Sequence, residues 1–338
     1  MTHTTNEDVV LQVENLTIEF QMEEETVQAV NDVSFTLKKG ETMGLVGETG
    51  AGKTTTALAM LRLVPSPPGV IKEGKITVCG HDMLTLPTQK MEEIRGKEIS
   101  MIFQDPMTSL NPVYTVGEQI AESLRIHEKL NKHEAYEKAM EMLELVGIPA
   151  ARGGDYPHQF SGGMKQRVCI AIALACSPKL LIADEPTTAL DVTIQAQALD
   201  LMKGLKEKFG TSVIMITHDL GIVAEICDNV AVMYAGRIVE YGTLDDIFNH
   251  TKHPYTEGLF NSLPNINDRK AKLKPIPGLM PDPTNLPKGC AFAPRCEYAT
   301  EACRQNLPEL TACFGTHKVA CVRYNEPGFH IERGKDHV

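Results

Sequence analysis

The sequence has no apolar segment long enough to cross a lipid bilayer. No run approaches the roughly 18 apolar residues that a transmembrane helix needs. Residues 1–8 also lack the basic start and apolar core that are typical of a signal peptide. We therefore expect the chain to stay in the cytosol and to reach a membrane only through a partner.

An excess of basic residues is also missing. The chain has 44 acidic and 33 basic residues, which give a net charge of −11. Because nucleic-acid binding depends on a basic stripe or a basic domain, we expect no DNA or RNA partner. The hydrophobic fraction of 42% and the charged fraction of 23% are ordinary for a soluble globular protein. At 338 residues the chain exceeds the usual size of one core, which predicts a large domain with a smaller one beside it.

The sequence also lacks closely spaced pairs among its clustered cysteines. Five of the nine cysteines lie between positions 290 and 321, but no two of these have the Cys-x₂₋₄-Cys spacing of structural zinc sites. In a cytosolic protein grouped thiols bind metal more often than they form disulfides, and iron–sulfur clusters accept other spacings. An iron–sulfur site is therefore favoured, with zinc and free thiols as alternatives. The scattered cysteines are predicted to be small core residues: Cys79, Cys169, Cys176 and Cys227.

The most informative motif that is present is a glycine-rich loop. It reads Gly47-Glu48-Thr49-Gly50-Ala51-Gly52-Lys53-Thr54-Thr55 and matches the phosphate-loop pattern G-x-x-x-x-G-K-S/T. An apolar strand precedes it, and a helical pattern follows from about Thr55. In such a loop, backbone N–H groups and the helix start surround phosphate oxygens, while Lys53 reaches the β- and γ-phosphates and Thr54 binds Mg²⁺. The loop predicts a nucleoside triphosphate site.

Polar side chains follow three later apolar strands. Gln104 follows residues 99–103, Asp184 and Glu185 follow residues 180–183, and His218 follows residues 212–217. The carboxyl ends of parallel strands share one edge of a sheet, so we expect these side chains beside the triphosphate. The predicted roles are Mg²⁺ binding for Asp184, activation of the attacking water for Glu185, contact with Mg²⁺ or water for Gln104, and γ-phosphate sensing for His218.

A helical period over about residues 115–147 predicts a helical subdomain between two of these strands. Near its end, Ser161, Gly162 and Gly163 precede another helix and offer free N–H groups to an anion. Because this loop and the phosphate loop precede different helices, we expect a second subunit to complete the site. Phe20 ends an early strand, where an aromatic ring either stacks on a purine or belongs to the core.

Together these motifs resemble the ATP-binding cassette (ABC) ATPases over about residues 9–255. The resemblance implies an α/β P-loop NTPase cassette, which has a RecA-like core, an antiparallel β subdomain and an α-helical signature subdomain at about 105–175. The implied domains are a cassette at 8–255 and a small Cys-rich C-terminal extension at 256–338. By family role, Gln104 is the Q-loop residue, Ser161-Gly162-Gly163 the signature, Asp184-Glu185 Walker B, Asp191 the D-loop acid and His218 the switch histidine. Met164 stands where the usual signature has glutamine, so we expect an altered site.

The signature variant narrows the resemblance. Together with segment 105–112, His253-Pro254-Tyr255-Thr256 and the cysteine tail, it is similar to the D-type ATPase of bacterial dipeptide/oligopeptide importers. This implies an ATPase at the cytoplasmic face of the membrane that pairs with a sister ATPase, two permease subunits and an extracytoplasmic peptide-binding protein. Segment 105–112 would meet a permease helix.

In these importers the motif that reads Cys290-Ala291-Phe292-Ala293-Pro294-Arg295-Cys296 here goes with a 4Fe–4S cluster. The resemblance implies Cys290, Cys296, Cys303 and Cys321 as its ligands, and it leaves Cys313 unassigned. The cluster's role is not implied by the motif.

Other functions fit the same cassette. They are a non-transport ABC ATPase, a module that is locked by ATP without turnover, and an importer of another solute such as nickel. Non-transport relatives generally carry two cassettes or a long coiled-coil insertion. This chain has one cassette and no sustained heptads, so transport is favoured. The cargo is chosen by the permease and the binding protein.

Overall fold

The computed structural model describes residues 8–187, 192–263 and 274–331. The strands in chain order are β1 (Val9–Gln21), β2 (Thr26–Lys38), β3 (Thr42–Val46), β4 (Gly69–Val78), β5 (His81–Asp82), β6 (Ile99–Ile102), β7 (Leu180–Asp184), β8 (Ser212–Thr217), β9 (Asn229–Tyr234), β10 (Arg237–Thr243), β11 (Thr311–Phe314) and β12 (His317–Val319). The helices are α1 (Lys53–Met60), α2 (Thr88–Ile94), α3 (Pro106–Ser109), α4 (Val116–Glu128), α5 (Lys132–Leu145), α6 (Gly162–Leu174), α7 (Val192–Phe209), α8 (Leu220–Ile226), α9 (Leu244–Asn249), α10 (Pro254–Asn261) and α11 (Glu301–Gln305).

The first sheet is antiparallel and has the order β2-β1-β4-β5. Its long strands alternate apolar and polar residues, so one face is buried and the other is solvated. Leu11, Leu16 and Ile18 of β1 are fully buried, and Val13 pairs with Phe35 across the β1–β2 ladder. The chain therefore has the antiparallel sheet that the resemblance implies.

The second sheet has the order β11-β12-β10-β9-β3-β8-β7-β6 among the described residues. Strands β6, β7, β8, β3 and β9 are parallel, which is why they read as continuous apolar runs rather than alternating ones. Every residue of β3, β7 and β8 is buried. Because the strands are parallel, their carboxyl ends lie at one edge, where the candidate site is found.

The helices between β6 and β7 form the predicted helical insertion. Thr115 caps α4, and Asn131 and Glu134 form a capping box at the start of α5. Fully or nearly fully buried apolar side chains join the helices: Ile120, Leu124, Ala139 and Leu143. Gly147 has a φ of +74° just after α5, and this left-handed backbone conformation ends the helix. None of the helices within the described ranges has the length and apolar character to cross a membrane.

The C-terminal segment is joined to the cassette rather than set apart from it. Helix α10 spans the predicted border at 255/256, and β12 pairs antiparallel with β10. Fully buried Glu240 of β10 accepts hydrogen bonds from the backbone N–H groups of Lys252 and His253 and contacts the His317 ring at 2.9 Å. The sequence did not reveal this shared sheet, because the paired strands are short and far apart along the chain. The domain bounds themselves stay a prediction.

Candidate functional site

The phosphate loop connects β3 to α1, as its sequence context predicts. Helix α1 begins at Lys53, two positions before the predicted start at Thr55. Gly47 has a φ of +152°, and a Cβ there would lie 2.2 Å from the carbonyl oxygen of Met233. Gly52 has a φ of +99°, and its Cβ would lie 2.5 Å from the carbonyl oxygen of Ala29. Both positions therefore require glycine.

Lys53 lies inside the loop and is 6% exposed. Its Nζ donates hydrogen bonds to the backbone oxygens of Gly47 at 2.7 Å and Glu48 at 3.0 Å. Burial lowers the pKa of Lys53, while the charges of Glu185, Asp184 and Glu48 act in the opposite direction. The ammonium group is thus held at the centre of the loop, next to the two acids at the carboxyl end of β7.

Asp184 ends β7 and is 3% exposed. Its Oδ1 is buried and has no hydrogen-bond partner within the described part of the chain. Burial raises the pKa of Asp184, whereas a hydrogen bond from the Thr54 side chain lowers it. A buried, unsatisfied carboxylate oxygen is costly unless a ligand completes it. An acidic oxygen beside a threonine hydroxyl is the donor set that Mg²⁺ prefers, so these two residues fit the ion.

Glu185 is at the centre of the polar strand ends. Its backbone has a left-handed φ of +46°, and its N–H donates to the carbonyl oxygen of Ile216 at 2.8 Å. Its Oε2 accepts a hydrogen bond from Gln104 Nε2 at 2.8 Å, and its Oε1 lies 3.1 Å from His218 Nδ1. The side chains that follow β6, β7 and β8 are therefore in contact, as the parallel-strand argument predicts.

The signature loop lies at the start of α6. Ser161 caps this helix by accepting a hydrogen bond from Met164 N at 3.4 Å. Ser161 and Gly162 are exposed, while Met164 is half-buried and its sulfur lies 3.7 Å from Arg152 Nη1. Helix α6 begins at Gly162, inside the motif that was expected to precede it, because the Ser161 side chain caps it there.

The roles of two other residues, Phe20 and Asp191, stay predictions. Phe20 is half-buried near the end of β1, where it pairs with Val27 and Gly69, and this position is compatible with both a core role and a purine-stacking role. Asp191 lies outside the described residues.

Sequence reasoning missed the contacts that hold the loop from the C-terminal side. Arg295 donates from Nη1 to Glu48 Oε2 at 2.6 Å and from Nη2 to Oε1 at 3.0 Å, and the Tyr255 hydroxyl accepts from Glu48 N at 2.9 Å. Arg295 was noted only as part of the cysteine motif. It is 247 positions from Glu48, and no local pattern reveals such a pair.

The four cysteines implied as ligands line one small cavity of about 20 Å³. Cys313 is not among the residues that line it. Burial raises the pKa of Cys296 to about 12 and that of Cys321 to about 11. Within the described residues, however, no group of three or more His, Cys, Asp or Glu side chains is arranged to hold a metal ion. The four thiols therefore line the same cavity without forming such a group in this structure.

The comparisons agree with this geometry. The family described as ABC transporter matches residues 30–188, and the one described as oligopeptide/dipeptide transporter, C-terminal region, matches residues 239–303. The oligopeptide transport ATP-binding protein OppD of Bacillus subtilis (strain 168) is 54% identical over 313 residues, which are 92% of this chain and 87% of OppD. AppD of the same organism, also an oligopeptide transport ATP-binding protein, is 52% identical over 321 residues, which are 94% of this chain and 98% of AppD.

Among solved structures, the ATP-binding cassette MJ0796 is similar in its dimeric post-hydrolysis state with ADP and Pi. It has a TM-score of 0.63 and 28% identity, and the match covers 69% of this chain and 98% of that one. The fold around the phosphate loop is thus that of an ABC cassette. The chain belongs to the ABC transporter ATP-binding proteins, in the oligopeptide and dipeptide branch. None of these comparisons supports the iron–sulfur cluster.

Proposed function

We propose that this chain hydrolyses ATP to power the import of di- and oligopeptides through a membrane ABC transporter. The observation that carries the proposal is the position of Glu185, which is held between Gln104 and His218 at the strand edge that also presents Lys53. Relatives named for oligopeptide transport match more than nine-tenths of the chain, which favours peptides over nickel or a non-transport role.

The phosphate loop binds the triphosphate. Backbone N–H groups of the loop, other than the N–H of Glu48, face the phosphate oxygens, and Lys53 exchanges its two loop carbonyls for the β- and γ-phosphates. Since the ammonium is already desolvated and placed, little reorganisation is needed when the nucleotide arrives. Asp184 and Thr54 would hold Mg²⁺, and the ion would neutralise charge on the phosphates.

Glu185 acts as the general base for the attacking water. A carboxylate has about four acceptor sites, so Glu185 accepts the water proton while Gln104 and His218 keep it in place. His218 is 64% exposed at its side chain, against 13% for Glu185, and it is free on its outer side to meet the γ-phosphate. Gln104 links the site to the segment that follows β6.

A second cassette completes the nucleotide site. Ser161 and Gly162 are exposed at the start of α6, and helix N-termini of this kind bind anions. The similar MJ0796 cassette was solved as a dimer. We assign the signature loop to the nucleotide of the sister subunit, where Met164 replaces an amide and alters the contact. Ser161→Arg should therefore abolish nucleotide-dependent pairing in cross-linking assays and leave ATP binding by the single chain unchanged.

The permease contact lies beside Gln104. Large apolar side chains are exposed there to between 45% and 71%: Phe103, Met107, Val113 and Tyr114. An exposed apolar cluster of this kind is typical of a protein interface. Met107 of α3 also contacts Lys165 of α6 at 3.3 Å, so movement at the permease contact reaches the signature helix directly. This would place the chain on the cytoplasmic face of the membrane, and peptide would be delivered by an extracytoplasmic binding protein.

The cysteine cavity is our proposed site for the 4Fe–4S cluster. Its support is the convergence of Cys290, Cys296, Cys303 and Cys321 while Cys313 stays apart. The cavity has room for about one water molecule, so the walls must separate to admit a cluster. Iron content after anaerobic purification is the test. Cys321→Ser should lose iron and Cys313→Ser should retain it, whereas equal iron in both variants, or none in the parent, would remove the proposal.

The test of function is purification of the chain from detergent-solubilised membranes. Copurification with a sister ATPase and polytopic membrane proteins, together with Mg²⁺-dependent phosphate release, is the expected result. Recovery with ribosomes or DNA would favour a non-transport ATPase, and ATP binding without phosphate release in the full complex would favour an assembly module.

A further inference from the structure

We infer that Arg295 is a positioning residue for the phosphate loop, and that it acts on ATP affinity by holding and neutralising Glu48. The inference rests on the proposed function, because it concerns the same nucleotide site. It assigns a role in ATP binding to the C-terminal cysteine segment, 290–296.

The Arg295–Glu48 contact is a two-pronged ion pair. Both guanidinium Nη atoms donate to Glu48, at 2.6 and 3.0 Å, and the Arg295 side chain is 5% exposed. The guanidinium is itself fixed, because Nε donates to the carbonyl oxygen of Pro277 at 2.9 Å and Nη1 lies 3.3 Å from the Tyr234 hydroxyl. Because the guanidinium is held in place, the two parallel hydrogen bonds fix the orientation of the Glu48 carboxylate as well as attracting it.

Glu48 transmits this contact to the loop. Its side chain binds Arg295, its N–H donates to the Tyr255 hydroxyl, and its carbonyl oxygen accepts from Lys53. The N–H of Glu48 is therefore an anchor and not a free phosphate donor. Phe292 adds an apolar anchor, since its ring lies 5.2 Å from that of Tyr234 and 5.4 Å from that of Tyr255. The segment 290–296 thus binds the loop through Arg295, and through Phe292 it packs against Tyr255, which also binds the loop.

The Arg295–Glu48 pair also sets the charge that an incoming nucleotide meets at the loop. A triphosphate is strongly anionic, and Glu48 is a carboxylate in the loop that must receive it. Arg295 cancels that charge and holds the carboxylate toward the C-terminal segment. Without the guanidinium, the carboxylate stays close to the phosphates and repels them.

The experiment is a titration of the full chain with fluorescent MANT-ATP and Mg²⁺. Arg295→Ala should raise the Kd about tenfold, as expected when a charge-assisted pair is lost, and Arg295→Lys should raise it by about threefold because a single ammonium replaces the fork. The double variant Arg295→Ala/Glu48→Gln should return to within about twofold of the parent, because the repelling charge has gone. In the assembled complex, KM for ATP should rise with Arg295→Lys while kcat stays within about twofold, since the reacting groups are untouched.

Arg323→Ala is the matched control. Arg323 also lies in the C-terminal segment and forms an ion pair, with Glu326 at 2.7 Å, but it does not bind Glu48. It should leave the Kd for MANT-ATP unchanged.

The inference is overturned if Arg295→Ala binds like the parent, if Arg323→Ala weakens binding equally, or if the double variant stays as weak as Arg295→Ala. Should Arg295→Ala fail to fold, Arg295→Lys decides, and an unchanged Kd there overturns the inference. A parent chain that binds no ATP would instead contradict the proposed function.

Discussion

Replacing Glu185 by glutamine separates ATP binding from hydrolysis. Glutamine has the same length, so its amide oxygen can accept from Gln104 and its amide nitrogen can donate to His218, and both contacts of the parent side chain persist. The backbone of residue 185 keeps its left-handed φ and its bond to Ile216. The variant should therefore fold and bind ATP within about threefold of the parent, since no phosphate contact is lost.

Turnover should collapse, because an amide cannot accept the water proton. Loss of a general base costs about 10²–10⁴-fold in rate, which is roughly 3–5 kcal/mol at the transition state. A loss of this size is large enough to leave ATP-bound complexes stable for minutes where the parent turns over in about a second or less.

The assay is steady-state phosphate release by the purified complex, with MANT-ATP binding measured on the same samples. Glu98→Gln is the control, because this acid lies just before β6, at the end of the sheet away from Gln104, and is likewise partly buried. It should keep full activity. A loss below about tenfold for Glu185→Gln, with intact binding, would refute the assignment of Glu185 as the base.

Two further predictions concern buried titratable groups. Because burial raises the pKa of Asp184, its charged form destabilises the fold at neutral pH, and this cost is absent below the ordinary aspartate pKa. Asp184→Asn should therefore raise the Tm of the nucleotide-free protein at pH 7 and abolish the further rise that Mg²⁺-ATP gives the parent. A lower Tm for the nucleotide-free variant would contradict this. Burial lowers the pKa of His253 to about 3, so its contribution to the free energy of unfolding is fully present above pH 6.5 and falls by up to about 1.4 kcal/mol per pH unit as the pH drops towards 3. His253→Asn keeps the cap on α10 and should flatten this acid slope in urea titrations. The exposed control His133→Asn should leave the slope unchanged.

The polar edge was predictable because its chemistry follows from local patterns. Each apolar run ends where its strand ends, and parallel strands align those ends, so Gln104, Glu185 and His218 were expected to be neighbours before any contact was known. The glycines and Lys53 were expected from the phosphate-loop pattern, because that pattern combines a tight turn with a helix start and a lysine placed between them.

What sequence did not give are contacts between distant segments. The Arg295–Glu48 pair and the Glu240–His317 contact depend on how the C-terminal segment returns to the sheet. Helices α1 and α6 begin inside their glycine motifs, at Lys53 and Gly162, and not where the apolar periodicity starts. Ser161 caps α6 with its side chain, whereas Gly52 precedes α1 without a side-chain cap. The family resemblance implied four cysteines as ligands, and these four line one cavity, but cysteine spacing alone does not determine whether they bind a metal.

The most direct measurement of the central claim is peptide uptake by proteoliposomes. Their membranes contain the complex that copurifies with this chain, and the binding protein and a labelled oligopeptide are supplied on the opposite side from the cassettes. Uptake should require ATP on the cassette side and should be lost with Glu185→Gln. Uptake that continues without ATP, or phosphate release by the parent complex with no peptide accumulation for any oligopeptide length tested, would contradict the account.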